Sequence, residues 1–366
     1  MSVGFWSPLP PARTGVADYS AALFGALRRF GSVEVSPRHA AVHLYHLGNN
    51  QLHRPTYERA LAEPGVIVLH DAVLQHFFLG WLDEAAYADE FAYNYGAWSR
   101  DLAMELYRGR AGSGFDGRYF EYPMLRRAVE RARAVVVHNR AAAEVVKRHS
   151  GAAEVVEIPH LFDPPVQATP SEAIRFRQRH GIPSCAFLFG VFGYLRESKR
   201  LLSILRAFGQ ARRVYEKAQL LIAGDFVSSD LERAIRPYLD AEGIHRLPHL
   251  PEGDFWLAAA ATDACINLRY PPAGETSGIA IRLMGIGKPV MLTAGAETAA
   301  FPEDACVRID PGVAEEAALR DNIVLFTSFP QVAAEIGRRG ADHIAVHHSV
   351  DRVAELYWKV LCKFGH

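Results

Sequence analysis

Short apolar segments alternate with longer amphipathic segments along the whole chain, and the alternation runs through twice. The apolar segments have the length and composition of strands buried on both faces, and the segments between them have helical spacing. The predicted strands are Val3–Trp6, Ala41–Tyr45, Val66–Leu69, Ala134–Val137, Glu154–Ile158, Phe187–Phe192, Ala218–Ala223, His245–Leu250, Ala264–Leu268 and Val290–Thr293. Repeated strand–helix alternation predicts an α/β protein with two doubly wound, Rossmann-like domains.

The stretch Phe162–Ala173 contains three prolines and has no apolar period, so we place the domain boundary there. The predicted domains cover residues 1–165 and 166–348, and residues 349–366 form a terminal helix with one apolar face. Two such domains are expected to face each other across a central cleft. Ligands of doubly wound sheets bind at the carboxyl ends of the strands, so the chemistry is expected there.

The charge balance limits the classes of partner. The chain of 366 residues has 40 basic and 41 acidic residues and a formal net charge of −1. Proteins that bind a nucleic-acid backbone or an anionic membrane by charge normally carry a basic excess. We therefore expect no nucleic-acid partner, and any bound phosphate must be held by a few placed groups.

Cysteine usage and the N-terminal sequence bear on the compartment. The four cysteines (Cys185, Cys265, Cys306 and Cys362) form no C-x-x-C pair and are predicted to be buried thiols of a reducing compartment. The N-terminus lacks the pattern of a signal peptide. The longest apolar stretch falls far short of the roughly 20 residues that span a bilayer. These features predict a cytoplasmic protein. They are also compatible with a peripheral contact at the inner face of the membrane.

A loop rich in proline and glycine follows the first predicted strand. Gly15 stands just before a helix in this loop, where backbone can come close to a ligand and free helical N–H groups can bind phosphate. An ordinary turn capped by Asp18 accounts for the same residues equally well.

Polar side chains follow three further strands of the first half. His70 and Asp71 end the strand Val66–Leu69, and His138 ends another strand in the same way. At the carboxyl end of a buried strand, an imidazole can hydrogen-bond a substrate hydroxyl or carbonyl. Asn49 and Asn50 could line the same cleft, although Gly-Asn-Asn is also plain turn chemistry. A satisfied structural histidine is the alternative for each imidazole.

In the second half, a group of cations follows the first predicted strand. Gly193 ends a predicted strand, and Arg196, Lys199 and Arg200 follow before the next helix. Cations at a strand-to-helix turn can neutralise a diphosphate. A solvated charged loop is the alternative reading.

The most specific segment is R-Y-P-P-A-G-E-T-S-G, residues 269–278, which leads into a helix. Thr276, Ser277 and Gly278 stand at the helix start, whose free N–H groups can bind phosphate, and Glu275 can accept hydrogen bonds from sugar hydroxyls. Arg282 lies about two turns further on. A capping motif alone would account for Thr or Ser, but not for the carboxylate, glycine and arginine together.

Several signatures are missing from the sequence. There is no G-x-G-x-x-G spacing, no P-loop, no G-x-S-x-G elbow and no H-E-x-x-H motif. The chain also lacks an Asp-x-Asp pair that could carry a divalent cation. We therefore expect neither a metal site nor a bound cofactor.

Taken in chain order, these segments resemble the family 4 retaining glycosyltransferases with the GT-B fold, over nearly the whole chain. In that family a glycine-rich loop follows the first strand, matched by Gly15, and a histidine ends an N-domain strand, matched by His70. A G-R-L-x-x-x-K-G-like segment opens the C-terminal domain, matched by residues 193–200. The resemblance also implies that the terminal helix crosses back to the N-terminal domain.

The glutamates of the family are altered in this sequence. The family has two glutamates eight positions apart before a G-x-P-V turn; here Gly274 and Arg282 stand at those positions, and Glu275 is displaced by one. The segment instead resembles a subgroup with G-E-T-S-G followed by arginine. Tyr194 also replaces the arginine of the G-R-L motif, so Arg196 or Arg200 would have to serve beside Lys199.

The resemblance implies transfer of a sugar, of hexosyl type, from a UDP- or GDP-linked donor to an acceptor hydroxyl with retention and without a metal. A role in bacterial glycan or polysaccharide biosynthesis, with a glycan or lipid-linked acceptor, is the implied setting. The implied catalytic residues are His70, Lys199 and Glu275. The implied donor-binding residues are Gly15, Gly193, Arg196, Arg200, Thr276, Ser277, Gly278 and Arg282. The acceptor-side candidates are Asp18, Asn49, Asn50, Asp71 and His138.

Two other functions fit the same sequence. The altered glutamates would suit a sugar-nucleotide-binding module without turnover. A sugar-nucleotide epimerase with the same two-domain architecture would interconvert a donor without any acceptor, although we would expect several cleft carboxylates and find only Glu275.

Overall fold

The computed structural model describes residues 1–12, 14–149 and 153–365. The chain divides into two compact units, neither of which is one continuous stretch of sequence. The first unit comprises Met1–Leu161, Pro271–Gly278 and His348–His366, and the second comprises Phe162–Tyr270 and Ile279–His347. Each unit is built around its own six-stranded parallel sheet.

The first sheet has the strand order β2-β1-β3-β4-β5-β6. Its strands are β1 (Ser2–Trp6), β2 (Ser32–Val35), β3 (Val42–Leu47), β4 (Val66–Leu69), β5 (Ala134–Val137) and β6 (Glu154–Glu157). The helices of this half are α1 (Gly15–Leu27), α2 (Arg54–Ala62), α3 (Gln75–Leu79), α4 (Glu84–Tyr95), α5 (Arg100–Arg108), α6 (Arg118–Glu121), α7 (Arg126–Arg131) and α8 (Arg140–His149).

Burial of both faces explains why the central strands of the first sheet are apolar throughout. In β4, Val66 and Val68 belong to one hydrophobic core, whereas Ile67 and Leu69 belong to the core on the other face. Side chains alternate between the faces of a strand, so a strand covered on both sides needs an apolar residue at every position.

The second sheet has the strand order β12-β11-β10-β7-β8-β9. Its strands are β7 (Phe187–Phe192), β8 (Ala218–Ala223), β9 (Ile244–Leu247), β10 (Ala264–Asn267), β11 (Val290–Thr293) and β12 (Val307–Ile309). The helices of this half are α9 (Pro170–Arg179), α10 (Leu201–Arg212), α11 (Ser229–Leu239), α12 (Glu252–Ala261), α13 (Gly278–Gly285), α14 (Glu315–Ser328) and α15 (Pro330–His347).

The final helix, α16 (Val350–Phe364), packs against α1 within the first unit. Its buried side chains Val353 and Leu361 join the core that contains Leu23 of α1. The hydroxyl groups of Tyr357 and Tyr19 form a buried hydrogen bond of 2.9 Å between the two helices. Burial raises the pKa of both tyrosines, so both hydroxyls stay protonated.

The structure confirms two doubly wound, Rossmann-like sheets and corrects several details. The edge strands β2 and β12 were missed, because they are only four and three residues long and are partly exposed. Strand β6 is not buried on both faces. Two of the cysteines predicted to be buried, Cys185 and Cys362, are exposed.

Strand order identifies where each sheet can bind a ligand. All strands are parallel, but the direction in which successive strands are added to the sheet reverses between β1 and β3 in the first sheet and between β7 and β10 in the second. Such reversal points leave a crevice at the carboxyl ends of the strands, which is where doubly wound sheets bind ligands. Among the described residues, no helix is both long and apolar enough to cross a membrane.

Candidate functional site

Three histidines gather at the carboxyl ends of neighbouring strands in the first unit. His46 is the next-to-last residue of β3, His70 follows β4, and His138 follows β5. Since β3 and β4 pair in parallel register, Nδ1 of His46 lies 3.0 Å from Nε2 of His70. The ring of Tyr19, from α1, packs edge-on against His70 with centroids 4.8 Å apart.

Burial keeps these three imidazoles uncharged. It lowers the pKa of His138 to about 4 and lowers the pKa of His46 and His70 well below their usual value. Repulsion from the neighbouring imidazoles lowers the pKa of His46 and His70 further. The cluster therefore offers hydrogen bonds rather than positive charge at neutral pH. Nδ1 of His138 faces the carbonyl of Ile158 at 3.0 Å and must donate to it.

Asn49 joins the loops that follow β3 and β4. Its backbone N–H donates to Oδ2 of Asp71 at 2.8 Å, and its side-chain Oδ1 accepts from the backbone N–H of Phe77 at 2.9 Å. Its Nδ2 lies 3.3 Å from Nδ1 of His76. A Cβ on Gly48 would lie 3.3 Å from Oδ2 of Asp71. The two predicted acceptor-side residues Asn49 and Asp71 thus belong to one hydrogen-bonded loop pair.

Three other predicted site residues, Gly15, Asp18 and Asn50, lie at the starts of helical segments. Thr14, not Asp18, caps α1, where its hydroxyl accepts from the backbone N–H of Val16 at 3.3 Å. Asp18 lies in the first turn of α1 and is exposed. Gly15 begins the helix, and a Cβ there would meet nothing within 4 Å. Asn50 caps a short 3₁₀ turn.

The segment Pro271–Gly278 contacts the loops after β4 and β5 in the first unit. One of its carbonyls accepts from the backbone N–H of Ala72 at 2.8 Å. Nδ2 of Asn139 donates to the carbonyl of Gly274 and to Oγ1 of Thr276, both at 3.0 Å. Gly274 has φ of +74°, and a Cβ there would lie 2.5 Å from Cβ of Ala72. Glycine is required at this position by both backbone conformation and space.

Glu275 shapes the turn within this segment. Its Oε2 accepts from the backbone N–H of Ala273 at 2.8 Å. Ser277 directly precedes α13, which begins at Gly278. A Cβ on Gly278 would lie 3.0 Å from Nε2 of His160, so glycine allows a close approach here as well.

In the second unit, the loop after β7 holds a buried lysine against the strand end. Lys199 is only 4% exposed, and its Nζ donates to the carbonyl of Phe192. Gly193 has φ of +87°, and a Cβ there would lie 2.3 Å from Ile279 and 3.4 Å from Nζ of Lys199. Glycine at position 193 therefore keeps space open beside the ammonium group.

The lysine lies among other cations. Burial lowers the pKa of Lys199 well below its usual value, and repulsion from Arg269 and Arg196 lowers it further. Arg269 follows β10 and Arg196 follows β7, the two strands that flank the reversal point. The backbone N–H of Tyr270 donates to the carbonyl of Ser198 at 2.8 Å and holds the two loops together. Lys199, Arg196 and Arg269 thus place positive groups near one another at the carboxyl ends of β7 and β10.

Two of the predicted diphosphate ligands have protein partners instead. Nε of Arg200 donates to both carboxylate oxygens of Glu315, at 2.9 and 3.2 Å, and Glu315 is only 1% exposed. Arg282 pairs with Glu252 at 2.9 Å and lies 4.3 Å from the ring centroids of Phe255 and Trp256. To bind a phosphate, as the sequence predicted, each arginine would have to leave or share its carboxylate partner.

Two members of these clusters were not singled out from the sequence. His46 follows the predicted strand Ala41–Tyr45, whose observed counterpart extends to Leu47. A histidine near the end of an apolar strand is the signal that identified His70, and it applies equally to His46. Arg269 begins the segment R-Y-P-P-A-G-E-T-S-G that contains Glu275, two residues beyond β10. Its proximity to Lys199 depends on strands that are far apart in sequence.

Among the residues that the structure describes, no group of three or more His, Cys, Asp or Glu side chains could hold a metal ion. The clusters supply two kinds of chemistry. The first unit offers uncharged imidazole groups that can form hydrogen bonds with a neutral ligand. The second offers buried positive charge that would stabilise an anion.

No protein-family model matches the sequence, and no curated protein matches it. Solved structures do match the fold. HepE from Anabaena, in complex with UDP-glucose, gives a TM-score of 0.68 at 15% identity, covering 99% of this chain and 100% of that chain. Sucrose-phosphate synthase from Thermosynechococcus elongatus gives 0.67 at 15% identity, covering 99% and 100%.

A third similar structure is WaaG, a glycosyltransferase involved in lipopolysaccharide biosynthesis. It gives a TM-score of 0.62 at 11% identity and covers 97% of this chain and 99% of that chain. Two six-stranded parallel sheets with flanking helices, matched along nearly the whole chain by these proteins, give this chain the GT-B fold.

Proposed function

We propose that this protein is a glycosyltransferase that uses a nucleoside-diphosphate sugar as donor. The observation that carries the proposal is the buried amino group of Lys199 at the end of β7, beside the reversal point of the second sheet and near enough to Arg196 and Arg269 for both to lower its pKa. Positive charge held in place there would stabilise a diphosphate. The similar protein HepE has been solved with UDP-glucose, with UDP and glucose, and with UDP.

The proposed reaction proceeds with retention at the anomeric carbon. The bond between that carbon and the β-phosphate oxygen breaks, and its electron pair goes to the phosphate, whose growing charge Lys199 stabilises. The acceptor oxygen forms its bond on the face that the phosphate leaves, and a phosphate oxygen takes the acceptor proton. Removing one donor of this kind typically costs about 3–4 kcal/mol of transition-state stabilisation.

We assign the sugar-binding roles to the first unit. His70 is proposed to hydrogen-bond a hydroxyl of the transferred sugar, and Glu275 to accept hydrogen bonds from further hydroxyls. The loop pair of Asn49 and Asp71 supplies amide and carboxylate groups suited to an acceptor, and we also assign His138, whose ring centroid lies 5.0 Å from that of His70, to the acceptor side. Of these residues, His70 and Asp71 follow β4 and His138 follows β5, at the carboxyl edge of the first sheet.

The finer assignments extend the same proposal. We propose a hexosyl group, a UDP or GDP donor, and an acceptor from bacterial glycan or polysaccharide biosynthesis, a setting for which WaaG provides a precedent.

We also propose that no divalent cation is needed, because Lys199 and its neighbouring arginines would balance the diphosphate charge. Full transfer activity in excess EDTA is the expected result. Activity restored only by added Mg²⁺ or Mn²⁺ would contradict this part.

A ligand screen tests the donor proposal. We expect UDP or GDP and their sugar conjugates to raise the melting temperature, because a ligand at 100 times its Kd stabilises the folded state by about 2.7 kcal/mol. A product assay with the binding donors and hydroxyl acceptors then tests turnover. Absence of any shift would contradict the proposal. Binding without transfer would indicate a binding module, and interconversion of the donor alone would indicate an epimerase.

Glu275 provides a prediction that separates binding from folding. Glu275→Ala removes both the proposed sugar contact and the acceptor for the Ala273 N–H. Glu275→Gln keeps a side-chain oxygen for that N–H but loses the charge. We expect both variants to raise KM for the donor, with only the alanine variant losing about 1 kcal/mol of stability. If both variants keep the wild-type KM, Glu275 serves the turn alone.

A further inference from the structure

Within the histidine cluster, His46 and His70 form a buried pair of imidazoles in direct contact. His46 is fully buried and His70 is 8% exposed. Nδ1 of His46 contacts Nε2 of His70, and Nε2 of His46 has no hydrogen-bond partner among the described residues. Aromatic rings surround His46, with the centroid of Phe5 at 4.8 Å and that of Tyr19 at 6.0 Å.

Proton counting leaves two arrangements for this pair. Both rings are neutral at pH 7, because burial lowers the pKa of each, so each ring has one N–H. Either His46 donates from Nδ1 to Nε2 of His70, or His70 donates from Nε2 to Nδ1 of His46. The second arrangement places the proton of His46 on Nε2 and buries an N–H without an acceptor. Buried N–H groups without an acceptor are rare in native proteins, and under-satisfied acceptors are somewhat less rare.

We infer that His46 is a positioning residue that donates from Nδ1 to Nε2 of His70 and thereby fixes His70 in its Nδ1–H tautomer. The backbone supports this geometry, since the carbonyl of His46 accepts from Nδ1 of His53 at 2.9 Å. Of the two ring nitrogens of His70, Nε2 alone has a hydrogen-bond partner among the described residues. The remaining nitrogen, Nδ1, then carries the proton that His70 can offer to a ligand.

This tautomer decides what His70 can do, a consequence that rests on the proposed function. An Nδ1–H group donates a hydrogen bond to a sugar or acceptor oxygen, and it has no lone pair with which to remove a proton. The proton of the acceptor hydroxyl must therefore go to another group, as in the proposed transfer to a phosphate oxygen. His70 binds and orients rather than acting as a general base.

The tautomer can be measured without any substrate. In protein labelled with ¹⁵N-histidine, long-range proton–nitrogen correlations distinguish protonated from unprotonated ring nitrogens, and a His70→Phe variant identifies the signals of His70. We expect Nδ1 of His70 and Nδ1 of His46 to be protonated and both Nε2 atoms unprotonated. A protonated Nε2 on His70 in the wild-type protein would overturn the inference.

Two substitutions test the positioning role. His46→Asn retains an N–H donor close to the position of Nδ1, and His46→Leu removes it. We expect His46→Asn to keep the Nδ1–H tautomer of His70 and most of kcat. His46→Leu should give mixed tautomers and about a tenfold lower kcat with KM unchanged. Equal kcat losses in both variants with an unchanged tautomer would assign His46 a structural role only.

The NMR measurement tests the tautomer of His70 and the transfer assay tests the proposed function, so either claim can be contradicted without the other. If the tautomer is as expected but no donor is turned over, the pairing stands and the proposed function falls. If transfer occurs but Nε2 of His70 is protonated, the function stands and the positioning role falls.

Discussion

Replacing Lys199 by methionine is expected to abolish transfer and nucleotide binding while making the folded protein more stable. The ammonium is buried beside two arginines, and burial of a charge without a compensating anion costs free energy. Methionine has a similar length and no charge, so we expect a gain of about 1 kcal/mol or more. The stabilisation by UDP or GDP should disappear. Thermal unfolding with and without nucleotide measures both effects.

The stability that Lys199→Met is expected to gain over the wild type should depend on pH in one direction. The pKa of Lys199 is lower in the folded protein than in the unfolded chain, so the unfolded chain binds more protons and the stability of the wild type rises with pH. The advantage of the methionine variant should therefore shrink as the pH rises toward about 10.5. A difference that is constant with pH would show that Lys199 is not a buried charged group.

Lys288 is the matched control. Its ammonium is also largely buried and donates to the carbonyls of Ala260 and Thr262 at 2.8 and 2.6 Å, and burial also lowers its pKa. It lies outside the cation cluster of Lys199. We expect Lys288→Met to keep the nucleotide effect. Loss of nucleotide binding in both variants would contradict a specific role for Lys199.

Gly224→Ala is expected to destabilise the second unit and to impair nucleotide binding at the same time. Gly224 follows β8 with φ of +152°, and a Cβ there would lie 2.0 Å from the carbonyl oxygen of Gly193. The strained backbone alone costs about 1–3 kcal/mol, and relief of the clash must move Gly193 away from its place beside Lys199. Urea unfolding should show a lower midpoint, and the KM for the donor should rise.

Gly209 serves as the comparison for that variant. It lies within α10, and a Cβ there would meet nothing within 4 Å. Gly209→Ala should raise stability by about 0.5–1 kcal/mol, because alanine favours the helix. If Gly224→Ala behaved like Gly209→Ala, the close approach between positions 224 and 193 would not constrain the loop.

The apolar pattern predicted the central strands because burial on both faces forces a continuous apolar run. It could not predict β2, where only Val33 is buried and the other three residues of the strand face solvent. Edge strands have one neighbour and one exposed side, so their sequences resemble loops. The same physical difference explains why β12 was missed.

The polar residues that follow the strands were identifiable from the sequence, but their partners were not. Gly193 and the cations that follow it predicted a diphosphate site after β7, whereas the contact between Arg200 and Glu315 spans 115 positions. Helical spacing relates Arg282 to other residues of its own helix only. Its contacts with Glu252 and Phe255 depend on how α12 packs, which a single sequence does not specify.

The division of the chain has a consequence for biosynthesis. The first unit includes Pro271–Gly278 and the helix after His348, which are translated later than most of the second unit. Its N-terminal 161 residues emerge from the ribosome without the helix whose Val353 and Leu361 complete the core around Leu23. We therefore expect the unit that is begun first to be finished last. A nascent chain stalled before residue 348 should expose that apolar face to chaperones.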